Sequence, residues 1–255
     1  MWRSRTNAPR RSCDVSAVAG RSASELRIAG LSRFSTVDWP GHLVATVFLQ
    51  GCPWNCTYCH NPDLIDPRTS GVMPWADVAA FLGERRGLLD GVVFSGGEPT
   101  MQRALPDAIA RTRELGFDVG LHTGGAYPDL LEAVLPALSW IGLDVKAGAD
   151  DYAGVTGRGP SGRAALRSLD LVVAAQRERA ASPHPLDVEV RTTVHPDLID
   201  DARLGDLGEL LADRGVRRWA IQRFRAAGSR CGTPVAAPLR LDRVPRERFE
   251  RVDVR

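Results

Sequence analysis

The chain has 255 residues, of which 44% are hydrophobic and 25% are charged, an ordinary composition for a globular protein that buries a sizeable core. Its net charge of +2 is too small to indicate nucleic-acid binding, which usually appears as a strongly basic domain or stripe. The sequence contains no apolar run of about 18 residues, so we expect no membrane span.

The two ends of the chain differ in composition from its middle. Residues 1–25 are rich in Arg, Ser and Ala and lack a clear amphipathic pattern, so we expect a disordered tail rather than a transit peptide, with Cys13 as a bystander. Residues 226–255 are rich in Arg and Pro and show no regular period. We therefore expect a C-terminal extension that wraps one domain formed by residues 26–225.

The middle of the chain alternates between short β-branched runs and longer stretches of helical period. The predicted strands are residues 43–49, 91–95, 117–122, 139–146, 187–194 and 216–222, and the predicted helices are 74–85, 103–115, 127–138, 163–180 and 200–214. Strands that alternate with helices imply a parallel sheet with right-handed crossovers. Since eight strands close a barrel, six predict an α/β fold with an open, partial (βα)6 TIM-like barrel.

The chemically unusual residues follow the predicted strands or end them. A cysteine cluster follows the first strand, SGGEP the second and HTGG the third, while DVK, RTTVH and QRF stand at the ends of the last three. Parallel α/β sheets place ligands and catalytic groups at the carboxyl ends of their strands. The sequence therefore predicts a single site at that edge of the sheet.

Three of the five cysteines, Cys52, Cys56 and Cys59, lie in GCPWNCTYCHNP, residues 51–62. Odd, clustered cysteines favour a reducing, cytoplasmic setting over a secreted disulfide scaffold. With His60 they could bind zinc, although adjacent ligands such as Cys59 and His60 suit a tetrahedron poorly. Iron–sulfur clusters usually have four cysteine ligands, so three cysteines favour a four-iron cluster with one iron left for a non-protein ligand.

The pattern Cys-x3-Cys-x-aromatic-Cys, with Tyr58 in the aromatic position, resembles the cluster loop of the radical S-adenosylmethionine superfamily. This resemblance implies a [4Fe-4S] cluster that binds S-adenosyl-L-methionine through its open iron. It also implies that an electron, donated by a protein such as flavodoxin or ferredoxin, cleaves the cofactor to a 5′-deoxyadenosyl radical. We expect the three cysteines to be the metal ligands and part of the catalytic machinery, and Tyr58 to contact the cofactor.

Residues Gly96, Gly97 and Glu98 of SGGEP match the Gly-Gly-Glu turn of the same superfamily. Glycines lack a Cβ atom, so the backbone can approach a ligand closely, and Glu98 is then free to accept a hydrogen bond from an ammonium group. Without the cysteine loop, such a pair would more often be a plain turn. Together, the two motifs predict that these three residues bind the cofactor.

Lys146 is the sole lysine among the 33 Lys and Arg residues of the chain. A sequence so biased toward arginine would carry arginine wherever any cation serves, so this position indicates a need for a compact ammonium. The alternative is one lysine that persists on the solvated surface. The resemblance implies that Asp144 and Lys146 contact the ribose and carboxylate region of the cofactor, and we expect Lys146 to be catalytic.

Further cofactor contacts are expected at the ends of two other strands. Thr123 matches the D-T-N-G turn of relatives less closely, because His122 and Gly124 replace its Asp and Asn. Arg191 and His195 resemble the later strand ends of one subgroup. For His195, a plain turn histidine before a proline is an equally good interpretation.

The segment 29–62, with S-x-x-D-x-P-G before the first strand and H-N-P after the third cysteine, is similar to the activating proteins of anaerobic ribonucleoside-triphosphate reductases. The resemblance covers roughly residues 26–225. It implies a glycyl-radical enzyme activase, an oxidoreductase whose substrate is a glycine on a partner protein. It also implies a single cluster, which fits a chain with only Cys231 beyond the loop.

Two alternatives stay open at this point. One is a small-molecule radical enzyme similar to the 7-carboxy-7-deazaguanine synthases, although these tend to have W-C-D where this chain has Y-C-H-N-P. The other is a non-enzymatic iron–sulfur or zinc-binding module. Reductive cleavage of S-adenosylmethionine separates the module from both enzymes, and dependence on a protein partner separates the two enzymes.

Overall fold

The computed structural model describes residues 21–231 and 238–255, and all structural statements concern these ranges. The earlier part of the predicted tail, residues 1–20 with Cys13, lies outside them. The eight strands are β1 (Ile28–Ser35), β2 (Val44–Leu49), β3 (Gly91–Gly96), β4 (Asp118–Thr123), β5 (Trp140–Asp144), β6 (Asp187–Val194), β7 (Arg218–Arg223) and β8 (Arg251–Val254). The six α-helices are α1 (Trp75–Gly83), α2 (Leu105–Glu114), α3 (Pro128–Val134), α4 (Tyr152–Thr156), α5 (Gly162–Arg179) and α6 (Asp201–Asp213).

The strands form one sheet in chain order from β1 to β8. Strand β1 pairs with β2 in antiparallel fashion, and every later pair is parallel. Helices return the chain between successive strands from β2 to β7, so the carboxyl ends of these strands share one edge. This arrangement confirms the predicted α/β fold with an open, partial barrel of parallel strands.

Two strands were not predicted from the sequence. Strand β1 is an edge strand whose residues are mostly half-buried or exposed, so it lacks the apolar run of a buried strand. Strand β8 lies inside the expected C-terminal extension and pairs with β7, with Ala220 opposite Asp253. The last residues of the chain are therefore part of the sheet.

The main core lies between the sheet and its helices, and a second small cluster lies on the opposite face of the sheet. This second cluster contains Trp39, Val44, Val93 and Trp140. Trp39, from the loop between β1 and β2, stacks on Trp140 with ring centroids 5.7 Å apart. A Cβ atom on Gly120 would lie only 3.0 Å from the Trp39 ring, so this glycine makes room for the tryptophan. The loop thus fills the inside of the partial barrel near the amino ends of β2, β3 and β5.

The longest helix, α5, has 18 residues and packs on the sheet with its apolar side. In the part of the chain that the structure describes, no helix combines the length and apolarity that a membrane crossing requires.

Candidate active site

A cavity of about 450 Å³ opens at the carboxyl ends of the parallel strands. Its volume is in the usual range for a small-molecule or cofactor site. Eleven of the twelve residues predicted from the sequence line it: Cys52, Cys56, Tyr58, Cys59, Gly96, Gly97, Glu98, Thr123, Asp144, Lys146 and Arg191. The fold therefore brings together motifs that are up to about 140 residues apart in the chain.

The cysteine loop is held by backbone hydrogen bonds from other segments. The amide of Cys52 donates to Ile65 O at 3.0 Å, and the amide of Asn55 donates to Thr156 O at 2.8 Å. Cys56 is buried, whereas Cys52 and Cys59 are partly exposed. Burial, with a further contribution from the charge of Glu98, raises the pKa of the Cys52 thiol to about 12. A thiol of this kind is a poor free nucleophile, but a bound metal would deprotonate it.

The residues present fit a cluster better than a single metal ion. In the described ranges, no three His, Cys, Asp or Glu side chains converge closely enough to hold one ion. His60, the fourth ligand of the zinc alternative, instead places Nε2 2.9 Å from Arg225 O. The sulfur atoms of a zinc site stand only about 4 Å apart because each Zn–S bond is about 2.3 Å. A four-iron cluster is larger than one zinc ion and is held by thiolates, and all three cysteines line the same cavity of about 450 Å³.

Tyr58 supplies a second observation that points to a ligand. Its side chain is buried and lines the cavity, and its hydroxyl oxygen has no hydrogen-bond partner among residues 21–231 and 238–255. An unsatisfied buried hydroxyl costs about 1–3 kcal/mol, so a polar ligand in the cavity would relieve this cost. The cavity therefore has both the thiols for a cluster and an unpaired donor for a second, polar molecule.

The glycine pair of SGGEP is required by the fold of the protein itself. Gly96 has φ +118°, and a Cβ atom there would lie 2.3 Å from the backbone nitrogen of Leu49. A Cβ atom on Gly97 would lie 2.3 Å from Gly51 O, at the start of the cysteine loop. We expected these two glycines to allow a ligand to come close. Instead, Gly96 lies close to β2, and Gly97 lies close to Gly51, the residue before the first cysteine.

Glu98 is buried and already has several hydrogen-bond donors. Its Oε1 accepts from Thr100 Oγ1 and Thr123 Oγ1, both at 2.6 Å, and from the amide of Thr100 at 3.1 Å. Among the described residues, its Oε2 accepts only from the amide of Gly124, at 2.9 Å. Burial raises the pKa of Glu98, while these hydrogen bonds oppose the shift. Oε2 is therefore the oxygen with remaining capacity for a ligand, and Thr123 acts through Glu98.

Asp144 links the two cations of the site. Arg191 Nε donates to Asp144 Oδ1 at 2.9 Å, and Lys146 Nζ lies 3.9 Å from Asp144 Oδ2. Burial alone would raise the pKa of Asp144, but the charges of Arg191 and Lys146 outweigh burial and hold that pKa below its usual value. Asp144 is therefore a carboxylate at neutral pH.

Lys146 is not a surface lysine. Its side chain is only 15% exposed, and Nζ lies 5.6 Å from the ring centroid of Trp54 and 5.9 Å from that of Tyr58. Burial would lower the pKa of Lys146, but the neighbouring Tyr58, Cys56 and Asp144 raise it well above its usual value. The ammonium group is therefore permanently charged and lies against two aromatic rings, where such a charge is attracted.

His195 does not line the cavity. Its ring packs on Phe224 with centroids 4.4 Å apart, and its Nδ1 lies 3.3 Å from the amide of Asp197. This position favours the interpretation of His195 as a turn histidine and gives it no direct contact with a ligand in the cavity.

Sequence reasoning did not identify His122 and Trp54 as site residues. His122 is buried, and its Nε2 donates to Asp38 O at 2.6 Å. Burial, with the nearby charge of Arg191, lowers its pKa strongly, so the ring is neutral. Trp54 packs so closely on Gly124 that a Cβ atom there would lie 2.2 Å from the indole ring. In the sequence, HTGG differs from the D-T-N-G turn of relatives at His122 and Gly124, and this difference was the signal that these two positions are unusual.

Comparison with known proteins assigns a family to this arrangement. A model described as the Radical SAM superfamily matches residues 46–207, which include the cysteine loop and the SGGEP turn. The chain is 28% identical over 201 residues to a protein of Methanocaldococcus jannaschii named as a candidate glycyl-radical enzyme activating enzyme, and the match covers 77% of this chain and 79% of that protein.

Two further relatives match shorter regions. A pyruvate formate-lyase-activating enzyme of Clostridium pasteurianum is 32% identical over 142 residues, which cover 53% of this chain and 59% of that protein. A 7-carboxy-7-deazaguanine synthase of Thermococcus kodakarensis is 31% identical over 122 residues, which cover 39% of this chain and 47% of that protein. The chain thus spans most of the first relative and about half of the other two.

Proposed function

We propose that this chain, which belongs to the radical SAM superfamily, activates a glycyl-radical enzyme and that its partner is an anaerobic ribonucleoside-triphosphate reductase. Its cofactors are those of the superfamily, a [4Fe-4S] cluster and S-adenosyl-L-methionine. When bound, they supply a 5′-deoxyadenosyl radical, which abstracts a hydrogen atom from the substrate. The electron comes from a reducing protein, for which we expect a flavodoxin or a ferredoxin.

The chain's own residues hold and orient these cofactors. The thiolates of Cys52, Cys56 and Cys59 hold the cluster. Glu98 Oε2 accepts a hydrogen bond from the amino group of the methionine part, since Oε1 is already occupied by three donors. Lys146 provides a fixed positive charge for the carboxylate region.

Three other side chains complete the binding of the cofactor. Asp144 offers a carboxylate to the ribose hydroxyls, and Arg191 holds Asp144 in place at 2.9 Å. The unpaired Tyr58 hydroxyl provides a donor in the same cavity. Each of these groups is positioned by β-strand ends or by the cysteine loop, which keeps the site rigid before a ligand enters.

One observation carries the proposal of a protein substrate. The cofactor cavity shares part of its wall with a larger cavity of about 630 Å³, on the open side of the partial barrel. A radical in this place needs protection from water and reductants, and this larger cavity is lined by exposed residues such as Val37 and Arg225. A protein substrate would cover it. A glycine loop suits this task because it has no side chain to block its approach to the radical.

The similarity to the M. jannaschii relative supports the same choice. That match covers about three quarters of both chains, whereas the match to the deazaguanine synthase covers less than half of either. A protein substrate is therefore favoured over a small molecule, and the resemblance of the D-x-P-G and H-N-P elements to those of anaerobic ribonucleotide reductase activating proteins supports that reductase as the partner.

Electron paramagnetic resonance tests the proposal. Reduced protein, S-adenosylmethionine and an anaerobic ribonucleotide reductase should give a glycyl-radical doublet, which should disappear when the partner's radical-bearing glycine is changed to alanine. Cys56→Ser should abolish the doublet through loss of iron, while Cys231→Ser, outside the loop, should retain both. If turnover proceeds on a small molecule with no partner present, a small-molecule enzyme replaces the activase.

A further inference from the structure

His122 lies near the end of β4, in the wall between the two cavities. Together with Asp38 and Arg191, it lines both the cofactor cavity and the larger, second cavity. The D-T-N-G turn of relatives has an aspartate at this position, whereas this chain has a histidine. A carboxylate is thus replaced by a ring whose charge and hydrogen bonds depend on its neighbours.

The partners of the His122 ring decide which of its nitrogen atoms carries the proton. Nε2 lies 2.6 Å from Asp38 O, and a carbonyl oxygen can only accept a hydrogen bond, so Nε2 is protonated. Burial and the charge of Arg191 lower the pKa of His122, so the ring is neutral and Nδ1 has a free lone pair. The hydroxyl of Ser95 lies 3.3 Å from Nδ1 and donates to it. The ring is therefore a neutral Nε2–H tautomer with a partner at each nitrogen.

The hydrogen bond to Asp38 O ties the end of β4 to the S-x-x-D-x-P-G loop, residues 35–41. Within this loop, Ser35 Oγ accepts from the amides of Val37 and Asp38, at 3.3 and 3.2 Å. The side chain of Asp38 accepts from Thr46 Oγ1, in β2, at 2.7 Å. Asp38 is thus bonded to β2 through its side chain and to β4 through its carbonyl group, and these bonds fix the loop beside the cofactor cavity.

The uncharged ring also affects which groups Arg191 binds. Arg191 Nη1 lies 3.3 Å from His122 Nε2, but both atoms are donors, so this contact is not a hydrogen bond in the assigned tautomer. The guanidinium group donates instead to Asp144 Oδ1 at 2.9 Å and to Gly142 O at 3.2 Å. A carboxylate at position 122 would lie beside the same guanidinium group and compete with Asp144 for it. A neutral ring leaves Arg191 to Asp144.

We propose that His122 is a positioning residue for the cofactor: its Nε2–H group holds the loop between β1 and β2, and its neutral ring keeps Arg191 bound to Asp144. Asp144, which lines the cofactor cavity, is thereby held in one orientation. His122 acts through these groups and not by contact with the reacting atoms. This inference rests on the proposed function, because it takes Asp144 to bind the ribose hydroxyls of S-adenosylmethionine.

Three substitutions at this position separate the two roles. His122→Gln is neutral and retains an NH₂ donor near the position of Nε2. His122→Asn is also neutral, but its shorter amide does not reach that position. His122→Asp has nearly the same shape as His122→Asn and adds a negative charge beside Arg191.

Anaerobic equilibrium binding of S-adenosylmethionine to the oxidised, cluster-loaded chain measures the affinity without turnover. The affinity of His122→Gln should be close to that of the wild type. His122→Asn should bind about fivefold more weakly, as expected for the loss of one neutral hydrogen bond. His122→Asp should bind about tenfold more weakly than His122→Asn, because it weakens a charged hydrogen bond as well.

The kinetics of 5′-deoxyadenosine release under dithionite separate positioning from general damage. His122→Asn and His122→Asp should raise KM for S-adenosylmethionine and leave kcat close to the wild-type value, since the proposed role is in binding. Iron content verifies that each variant has folded and holds the cluster. His184→Asn and His184→Asp are the controls, because His184 is exposed, precedes β6 and lies outside both cavities, so these two should bind the cofactor alike.

Equal affinity of His122→Asn and His122→Asp would overturn the role of the neutral ring, and a loss in His122→Gln as large as that in His122→Asn would overturn the role of the donor. The positioning role and the activase function fail in different ways. If the ordered loss of affinity is found but no protein acquires a glycyl radical, the activase function fails and the positioning role stands. If a glycyl radical forms on a partner and all three variants bind the cofactor as the wild type does, the positioning role fails and the activase function stands.

Discussion

Gly97 lies where the SGGEP turn crosses the start of the cysteine loop, and we predict that Gly97→Ala disrupts both. The added Cβ atom would lie 2.3 Å from Gly51 O and 2.8 Å from Leu64 O, closer than the 3.0 Å below which real Cβ atoms essentially never come. The Gly51 carbonyl would have to move by at least about 0.7 Å, the difference between 3.0 and 2.3 Å. Both obstructing atoms belong to the backbone and cannot rotate away.

The cost of this movement follows from what the carbonyl does. Overpacking of this kind costs about 1–3 kcal/mol. The Gly51 carbonyl also accepts a hydrogen bond from the amide of Glu98 at 2.8 Å, and weakening it costs about 1 kcal/mol more. We therefore expect a loss of roughly 2–4 kcal/mol in the free energy of unfolding. Because Cys52 follows Gly51, the shift also displaces the thiol that we propose as a cluster ligand, and a displacement of about 1 Å can cost about 100-fold in rate.

Anaerobic urea denaturation of the cluster-loaded protein measures the stability, and release of 5′-deoxyadenosine under dithionite measures the rate. Gly83→Ala is the matched control, since Gly83 ends α1 and an added Cβ atom there meets nothing within 4 Å. That variant should be as stable as the wild type or more stable by up to about 1 kcal/mol. Wild-type stability and cleavage in Gly97→Ala would refute the steric reasoning, as would equal damage in both variants.

Two more variants test the electrostatics of the site. Lys146→Arg keeps the positive charge, but the planar guanidinium is too large for the place beside the rings of Trp54 and Tyr58. The release of 5′-deoxyadenosine should therefore fall about tenfold or more. A wild-type rate would show that any cation serves at this position. Burial and the charge of Arg191 lower the pKa of His122 in the folded state below its usual 6.5. Below this pH the unfolded state binds a proton that the folded state does not bind. The free energy of unfolding should therefore fall as the pH drops below about 6.5. His122→Gln should flatten this fall by up to about 1.4 kcal/mol per pH unit in urea denaturation between pH 5.5 and 7.5, and an unchanged slope would contradict the assignment.

The parallel part of the fold was predictable because its strands are buried on both faces. Strands β2 to β7 read as β-branched runs of five to eight residues, bounded by stretches of helical period, and the predicted bounds agree closely with the structure. The edge strands β1 and β8 have no such run. The sequence IAGLSRFS is half exposed and RVDV is short, so only pairing with β2 and β7 shows that they are strands.

The site was predictable to the extent that it depends on topology. Residues that end parallel strands must meet at one edge, so Glu98, Asp144 and Arg191 could be placed together without a structure. The partners of these side chains depend on packing, which local sequence does not determine. The four donors to Glu98 and the position of His195 behind Phe224 became visible only in three dimensions.

The H-N-P and D-x-P-G elements contain residues whose contacts join distant parts of the chain. His60, in H-N-P, lies against the carbonyl of Arg225, and the amide of Arg230 donates to Cys59 O at 2.9 Å. Asp38, in D-x-P-G, accepts a hydrogen bond from His122 through its carbonyl oxygen. Both elements therefore connect the wall of the second cavity to the wall of the first. The segment that follows β7 is thus hydrogen-bonded to the cysteine loop, and the loop between β1 and β2 is hydrogen-bonded to the end of β4, so each motif fixes one part of the wall that the two cavities share.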